Sequence, residues 1–365
     1  MIATIIWFII GLTALIAGAE MLVRGASRLA SAFGISKLVI GLTVVAFGTS
    51  APELAVSIQA GLDGRPDILL GNVVGSNITN ILLILGVTAL ILPIAVNPRL
   101  IKLDVPVMIG MTILLLIFVL NGSITFWESL VFVILLCMYM LYLARNSGIP
   151  ASEVIPKKRK PSKPMSFIYA IAGLVLLVAG ARWLVQSAVL FAEAFGVSEL
   201  VIGLTIVAIG TSLPEITTSI VAAIRREREM VVSSVVGSNI LNILAVLGVT
   251  GLVLPEAIPV TDALIRFDIM ILLAASFACI PIFFTGHLIS RGEGALFLIY
   301  YIAYIIYLWL SSAEHQALPA FSNTMLMFVV PITLITIFMV AVREFNKRKR
   351  IWHFINKSEP DDKKE

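Results

Sequence analysis

Two blocks of this 365-residue chain recur at one constant offset of 162 positions. GLTVVAFGTSAPE, ending at Glu53, answers GLTIVAIGTSLPE, ending at Glu215, and VVGSNITNIL from Val73 answers VVGSNILNIL from Val235. From Ile35 to Leu54, 14 of 20 positions match their partners, and from Val73 to Val87, 12 of 15 match. The repeated residues are Gly, Thr, Ser, Pro, Glu and Asn, and they interrupt long apolar runs, where an uncompensated polar group is costly. A chain that carries this cost twice is constrained to bring the two copies together as halves of one binding site.

The apolar runs themselves set the class. With 59% hydrophobic and 13% charged residues and a mean hydropathy of +1.03, the chain has more apolar surface than a water-soluble domain of this length hides in one core. A helical span needs roughly 20 mostly apolar residues. Eleven such stretches are predicted, at about 2–22, 37–61, 68–93, 103–120, 124–143, 167–190, 199–224, 230–255, 266–285, 294–311 and 322–342. The first lacks a basic start and a small-residue cleavage site, so it is expected to be retained. Cys137 and Cys279 are the only cysteines; both fall inside spans without repeat partners, which predicts core thiols and no disulfide framework. His287, His315 and His353 fall in loops or the tail, leaving no imidazole within a span for a zinc site or proton relay. With no Ser-Lys or paired-Asp motif either, an enzyme is not expected, and no cofactor is.

Lys and Arg placement predicts the orientation. With the N-terminus outside, 23 basic residues fall inside, and only Arg65, Arg182 and Arg266 fall outside. This reading places the protein in the plasma (inner) membrane, multi-pass, with the C-terminus cytoplasmic. The basic run at Lys157–Lys160 then reads as a solvated linker and not as a nucleic-acid contact. The organisation expected is a first repeat over 1–144 (spans one to five), a basic cytoplasmic linker over 145–166, a second repeat over 167–311 (spans six to ten), an additional span over 312–342 and a basic tail over 343–365. An odd number of spans per repeat inserts the second upside down, which is the inverted-repeat plan of many secondary transporters. The fold class predicted is therefore an all-α membrane protein of two inverted five-helix repeats plus one C-terminal helix.

Within the repeats, Pro52 and Pro214 each lack an N–H and so interrupt the helix toward Gly48 and Gly210. Glu53 and Glu215 follow these breaks directly, with Ser50 and Ser212 three residues earlier on the same helical face. In the second block, Gly75 and Gly237 are expected to permit close helix approach. Ser76 with Asn80, and Ser238 with Asn242, share a face at i and i+4. Carboxylates, hydroxyls, amide oxygens and freed carbonyls are hard donors, suited to Ca²⁺, Na⁺ or Mg²⁺ and not to Zn²⁺ or copper. A carboxylate at the bilayer centre costs on the order of 3 kcal/mol, so the duplicated Glu53 and Glu215 are read as functional. Two such charges balance one Ca²⁺, or Na⁺ ions or protons in its place, and that mutual exclusion is a chemical basis for exchange. For Gly41, Thr43, Gly203 and Thr205 helix packing is the expected role, and Glu20 is expected to pair with Arg24, four residues on.

The paired GTS-x-PE and GSN-x-x-N blocks resemble the two alpha repeats of the calcium/cation antiporter superfamily, in particular prokaryotic sodium/calcium exchangers. The resemblance covers residues 1 to about 311. It implies a ten-helix core of two inverted halves, four central ion sites, and alternating access by sliding of spans one and six. It also implies a calcium site at the Glu53 and Glu215 side chains with the Thr49 and Thr211 carbonyls. Sodium sites would draw on Ala46, Ser50, Ser76, Ala208, Ser212 and Ser238, with Asn80 and Asn242 lining the centre. The chain departs from many relatives in two ways: Asn242 stands where they place an aspartate, which predicts potassium-independent transport, and the eleventh span lies outside the ten-helix plan.

The function expected is thus a secondary antiporter exchanging Ca²⁺ for Na⁺, with those ions as substrates and membrane lipid as surroundings. A Ca²⁺/H⁺ exchanger is the alternative, because buried carboxylates can carry protons. A cation channel is the reading from a different class, disfavoured because channels place such groups around a symmetric multi-subunit pore.

Overall fold

In a computed structural model, residues 1–32, 50–98, 100–146, 163–224, 228–284 and 286–331 are described. They are almost wholly helical. Helix α1 runs over Ile2–Ala32, α2 over Ala51–Leu62, α3 over Pro66–Ile91 and α4 over Leu100–Val119. These are followed by α5 over Phe126–Asn146 and α6 over Lys163–Phe195. Next come α7 over Glu199–Thr211, α8 over Leu213–Ile224, α9 over Val231–Val253, α10 over Leu264–Phe284 and α11 over Arg291–Ser312. A last helix, α12 over Leu318–Thr324, passes into a π-helical turn at Met325–Val329. Among the described residues, eight helices are long and apolar enough to cross a membrane, or nine if the bent pair α7–α8 counts as one span. The first half of predicted span two and residues 332–342 of span eleven lie outside the described residues, as do residues 147–162 of the linker and the tail.

Burial separates a centre from a periphery. The apolar windows of α3 and α9 are 78% and 83% buried, against 17% for α5, so the two helices bearing the GSN-x-x-N blocks form the core. Exposed Trp7, Ile10, Trp127, Met138, Phe167 and Trp309 coat the outside with apolar surface suited to lipid. Cys279 is buried as expected, but Cys137 is exposed: α5 is a peripheral helix, and hydropathy alone does not reveal which side faces the bundle.

Helices α1 and α6 extend well past their predicted ends at 22 and 190 and pack antiparallel along much of their length. The seam is made of glycine. A Cβ added at Gly18 would lie 2.7 Å from Leu177 N, and one at Gly173 would lie 2.4 Å from Leu22 N. Gly11 meets Gly180 in the same way, so main chain rests on main chain. Trp7 against Trp183 and Phe8 against Phe191, with ring centroids 5.3 and 5.5 Å apart, close one end of the seam.

Other features repeat in both halves. α3 carries a π-helical segment at Thr79–Ile84 and α9 one at Asn242–Leu247. α4 and α10 open with π-helical turns at Leu100–Asp104 and Leu264–Asp268. Tyr139 donates to Asp104 at 3.1 Å, and Tyr304 to Asp268 at 2.9 Å. Four two-residue strands join the halves. Strand β1 (Ile94–Ala95) pairs antiparallel with β4 (Leu288–Ile289), and β2 (Ser123–Ile124) with β3 (Ile258–Pro259).

Candidate functional site

The break expected at GTS-x-PE is present. α7 and α8 are bent by 46° at Ser212, whose φ and ψ of −81° and 6° leave the helical region. Ser50 adopts nearly the same angles, −88° and 8°, at the start of α2. Proline at the second position of each following helix is tolerated because its missing N–H belongs to the unbonded first turn. Glu53 and Glu215 stand at the third position of α2 and α8, buried inside the bundle at 1% and 2% exposure. The two halves of the duplicated motif meet, because Ser212 of one copy reaches the carboxylate of Glu53 in the other.

The carboxylates are only partly satisfied by protein. Ser212 Oγ donates to Glu53 Oε1 at 3.2 Å, a bond made across the repeats. Glu53 Oε2, Glu215 Oε2, Ser50 Oγ, Asn80 Oδ1, Asn242 Oδ1 and Ser219 Oγ are buried with no hydrogen-bond partner among the described residues. These six oxygens, two of them on carboxylates, are hard donors of the kind that suits Ca²⁺ or Na⁺. Among the described residues no three His, Cys, Asp or Glu side chains gather as a metal cluster. A cation here would be held by the two carboxylates and neutral oxygens.

Of the other expected residues, Ser76 Oγ lies 3.5 Å from Thr211 Oγ1 across the repeats, and both are fully buried. Thr211 Oγ1 also donates to Asn72 Oδ1 at 3.0 Å, so its side chain is engaged across the repeats. Ala208 and Ser238 are buried as well. A Cβ on Gly75 would meet Leu204 O at 2.6 Å, confirming close approach of α3 to α7. Gly237 meets no described atom within 4 Å, so for it the expectation of close approach is not met among the described residues. Gly203 also packs against α3, and Thr205 bonds back to Val201 O at 2.6 Å, both structural roles. Glu20 pairs with Arg24 on an exposed part of α1. Ala46, Thr49, Gly41 and Thr43 lie outside the described residues.

Three buried amides were not singled out by sequence. Asn72 donates to Glu53 O at 3.1 Å and Ser57 Oγ at 3.0 Å, fixing the backbone that carries the carboxylate. Its repeat partner is Ser234, so duplication gave no sign of it. Asn77 and Asn239 are the Asn of GSN in each copy, and they were as visible in the repeat as Ser76 and Ser238. They hydrogen-bond to one another and to Asn242 and Asn80.

Comparison with known proteins fits this arrangement. The family model described as sodium/calcium exchanger protein matches residues 3–145 and again 165–310. A protein of Alkalimonas amylolytica that carries the antiporter name CaxA is 40% identical over 314 residues, 83% of this chain and 98% of its own. Sodium/calcium exchanger MaX1 of Methanosarcina acetivorans is 33% identical over 341 residues, 82% of this chain and 97% of that protein. A solved structure of the sodium-calcium exchanger NCX_Mj, soaked with 10 mM Na⁺ and zero Ca²⁺, superposes with a TM-score of 0.59 at 35% identity, covering 84% of this chain and 98% of the other. With both halves matched by one family model and the helical plan shared with a solved exchanger, this multi-pass membrane protein belongs to the sodium/calcium exchanger family.

Proposed function

We propose that this protein is a secondary antiporter that exchanges Ca²⁺ for Na⁺ at a single site between the two repeats. The observation that carries the reading is the pair of buried carboxylates, Glu53 and Glu215, each with an oxygen unpartnered among the described residues, surrounded by neutral oxygen donors. Two formal charges are neutralised by one Ca²⁺ or by Na⁺ ions, and hydroxyl and amide oxygens complete a coordination shell that protons do not require. Ser50, Ser76, Ser212 and Ser238 would supply the sodium sites together with Ala46 and Ala208. Glu53, Glu215, Thr49 and Thr211 would hold calcium, and Asn80 and Asn242 would line the centre. The exchanger name of MaX1 and NCX_Mj supports the same assignment.

Inverted repeats are supported by the strand pairing. β1 follows the third helix of its repeat and β3 stands in the equivalent place after α9, yet β1 pairs with β4 and β2 with β3. Each connection thus meets the non-equivalent connection of the other half, as it must if equivalent ends face opposite sides. The domain boundaries at 1–144, 145–166, 167–311, 312–342 and 343–365, an outside N-terminus and a plasma (inner) membrane location complete the reading. The pair α1–α6, joined by its own glycine seam, is suited to move as one body against the core. With Asn242 in place of an acid, transport is independent of potassium.

Everted vesicles containing the protein test the proposal, with Na⁺, K⁺ and pH gradients imposed one at a time. Ca²⁺ uptake driven by the Na⁺ gradient and indifferent to K⁺ is expected. Uptake driven only by the pH gradient would establish the Ca²⁺/H⁺ alternative, and non-saturating flux without a counter-ion would establish a channel.

A further inference from the structure

Four buried amides at the centre of the bundle form a network whose polarity is set by two main-chain carbonyls. Asn77 Nδ2 donates to Asn239 O and Asn239 Nδ2 to Asn77 O, each at 3.3 Å. A carbonyl oxygen only accepts, so each of these amides must present its nitrogen there. Turned the other way, two acceptors would face one another.

The remaining oxygens are then committed. Asn77 Oδ1 receives Asn242 Nδ2 at 3.0 Å, and Asn239 Oδ1 receives Asn80 Nδ2 at 3.0 Å. Asn239 also directs Nδ2 toward Met108 Sδ at 3.7 Å, so its nitrogen side is occupied. Because their nitrogens are engaged, Asn242 and Asn80 must turn their oxygens away, and those two oxygens are buried without a partner among the described residues. Each relay runs from a carbonyl, through one amide, to the free oxygen of the next, and the two relays are related by the 162-residue offset.

We propose that Asn77 and Asn239 are positioning residues that fix Asn242 and Asn80 with their oxygens toward the cation, each acting across the repeat interface. The inference rests on the cation reading of the site. A flipped amide would aim an NH₂ group at a positive ion, turning a ligand into a repulsive neighbour, and nothing in Asn80 or Asn242 alone prevents that flip.

The test uses purified full-length protein in lipid nanodiscs and reads the Ca²⁺ concentration that gives half-maximal thermal stabilisation. Wild type is compared with Asn77→Leu, Asn239→Leu, Asn77→Asp and Asn239→Asp, since Leu keeps the branching and heavy-atom count of Asn and Asp is nearly isosteric with it. Leu offers no acceptor, so the dependent amide is free to turn and the half-maximal Ca²⁺ rises about tenfold. A neutral Asp carboxyl reproduces both bonds, donating its O–H to the carbonyl and accepting from the dependent amide, and the Ca²⁺ response persists. A role in packing alone predicts the reverse order, with Leu tolerated and Asp harmful. A second measurement combines variants. Asn77→Leu added to Asn242→Ala is expected to cost nothing further, whereas Asn77→Leu with Asn80→Ala multiplies the two effects. A wild-type response in the Leu variants, a folded Asn77→Asp without a Ca²⁺ response, or multiplication in both pairs overturns the inference and leaves the cation reading standing. Wild-type protein stabilised by neither Ca²⁺ nor Na⁺ overturns the cation reading and this inference with it.

Discussion

Asn77 and Asn239, 162 positions apart, each donate a side-chain N–H to the other's main-chain carbonyl at the same distance of 3.3 Å. The reciprocity means that one local geometry is used twice about an approximate two-fold axis. The pair joins α3 to α9, the two most buried of the apolar helices and the ones that carry the GSN-x-x-N blocks.

The carboxylates give the sharpest expectation. Glu53→Gln or Glu215→Gln removes half the formal charge of the site while keeping its shape. A loss of about 3 kcal/mol in Ca²⁺ binding, roughly a hundredfold, is expected. Calcium flux into vesicles should fall to background while the protein elutes as a folded species on size exclusion; retained flux in either variant contradicts the site.

The two repeat-related serines should differ. Ser212 Oγ bonds to Glu53 Oε1, whereas Ser50 Oγ has no partner among the described residues. Without ions, Ser212→Ala is expected to cost about 1–3 kcal/mol of stability, the range for leaving a buried polar group unsatisfied, and Ser50→Ala close to nothing. Thermal unfolding in ion-free buffer separates them, and a return to equal behaviour in Na⁺ would show that both serve the ion.

At the α1–α6 seam, Gly173→Ala places a methyl 2.4 Å from Leu22 N, with backbone on the other side that cannot give way. Overpacking of this kind costs about 1–3 kcal/mol. Gly110 in α4 has no neighbour within 4 Å, and Gly110→Ala there is expected to stabilise by up to about 1 kcal/mol through helix propensity. Melting curves of the two variants should shift in opposite directions.

The duplicated tyrosine-aspartate bonds offer a comparison inside one molecule. Asp268 is 3% exposed, so Tyr304→Phe leaves its carboxyl short of a donor and is expected to cost about 1–3 kcal/mol. Tyr139 and Asp104 are only part-buried, and Tyr139→Phe should cost less, since water can replace the hydroxyl. Equal losses would mean that burial does not set the cost.

Much of this protein was legible before its structure. Helix-length apolar runs identify the class because a bilayer demands them, and repeated Glu, Pro and Asn within those runs mark the site because polar groups there are costly. That rule singles out Ser50, Ser212, Asn80 and Asn242, whereas Thr211 enters only through the family resemblance. Asn72 was not, since Ser234 stands opposite it and no repetition marks it. The exposure of Cys137 was misjudged for a related reason: a span apolar all round carries no periodicity that says which side is inside.

By itself the sequence determined that the chain spans a membrane, that it holds two equivalent halves, and which carboxylates those halves contribute. These follow from composition and spacing, which are properties of a string. Only the tertiary structure decided who meets whom: Ser212 with Glu53, Thr211 with Asn72, Gly18 with Leu177, and Asn77 with Asn239. Each of those contacts joins helices more than 130 positions apart or from opposite halves, and hydrogen bonding across an interface has no period along the chain. Partner choice is fixed by the packing of whole helices, where backbone carbonyls, present at every residue and invisible in any motif, set which way an amide must point.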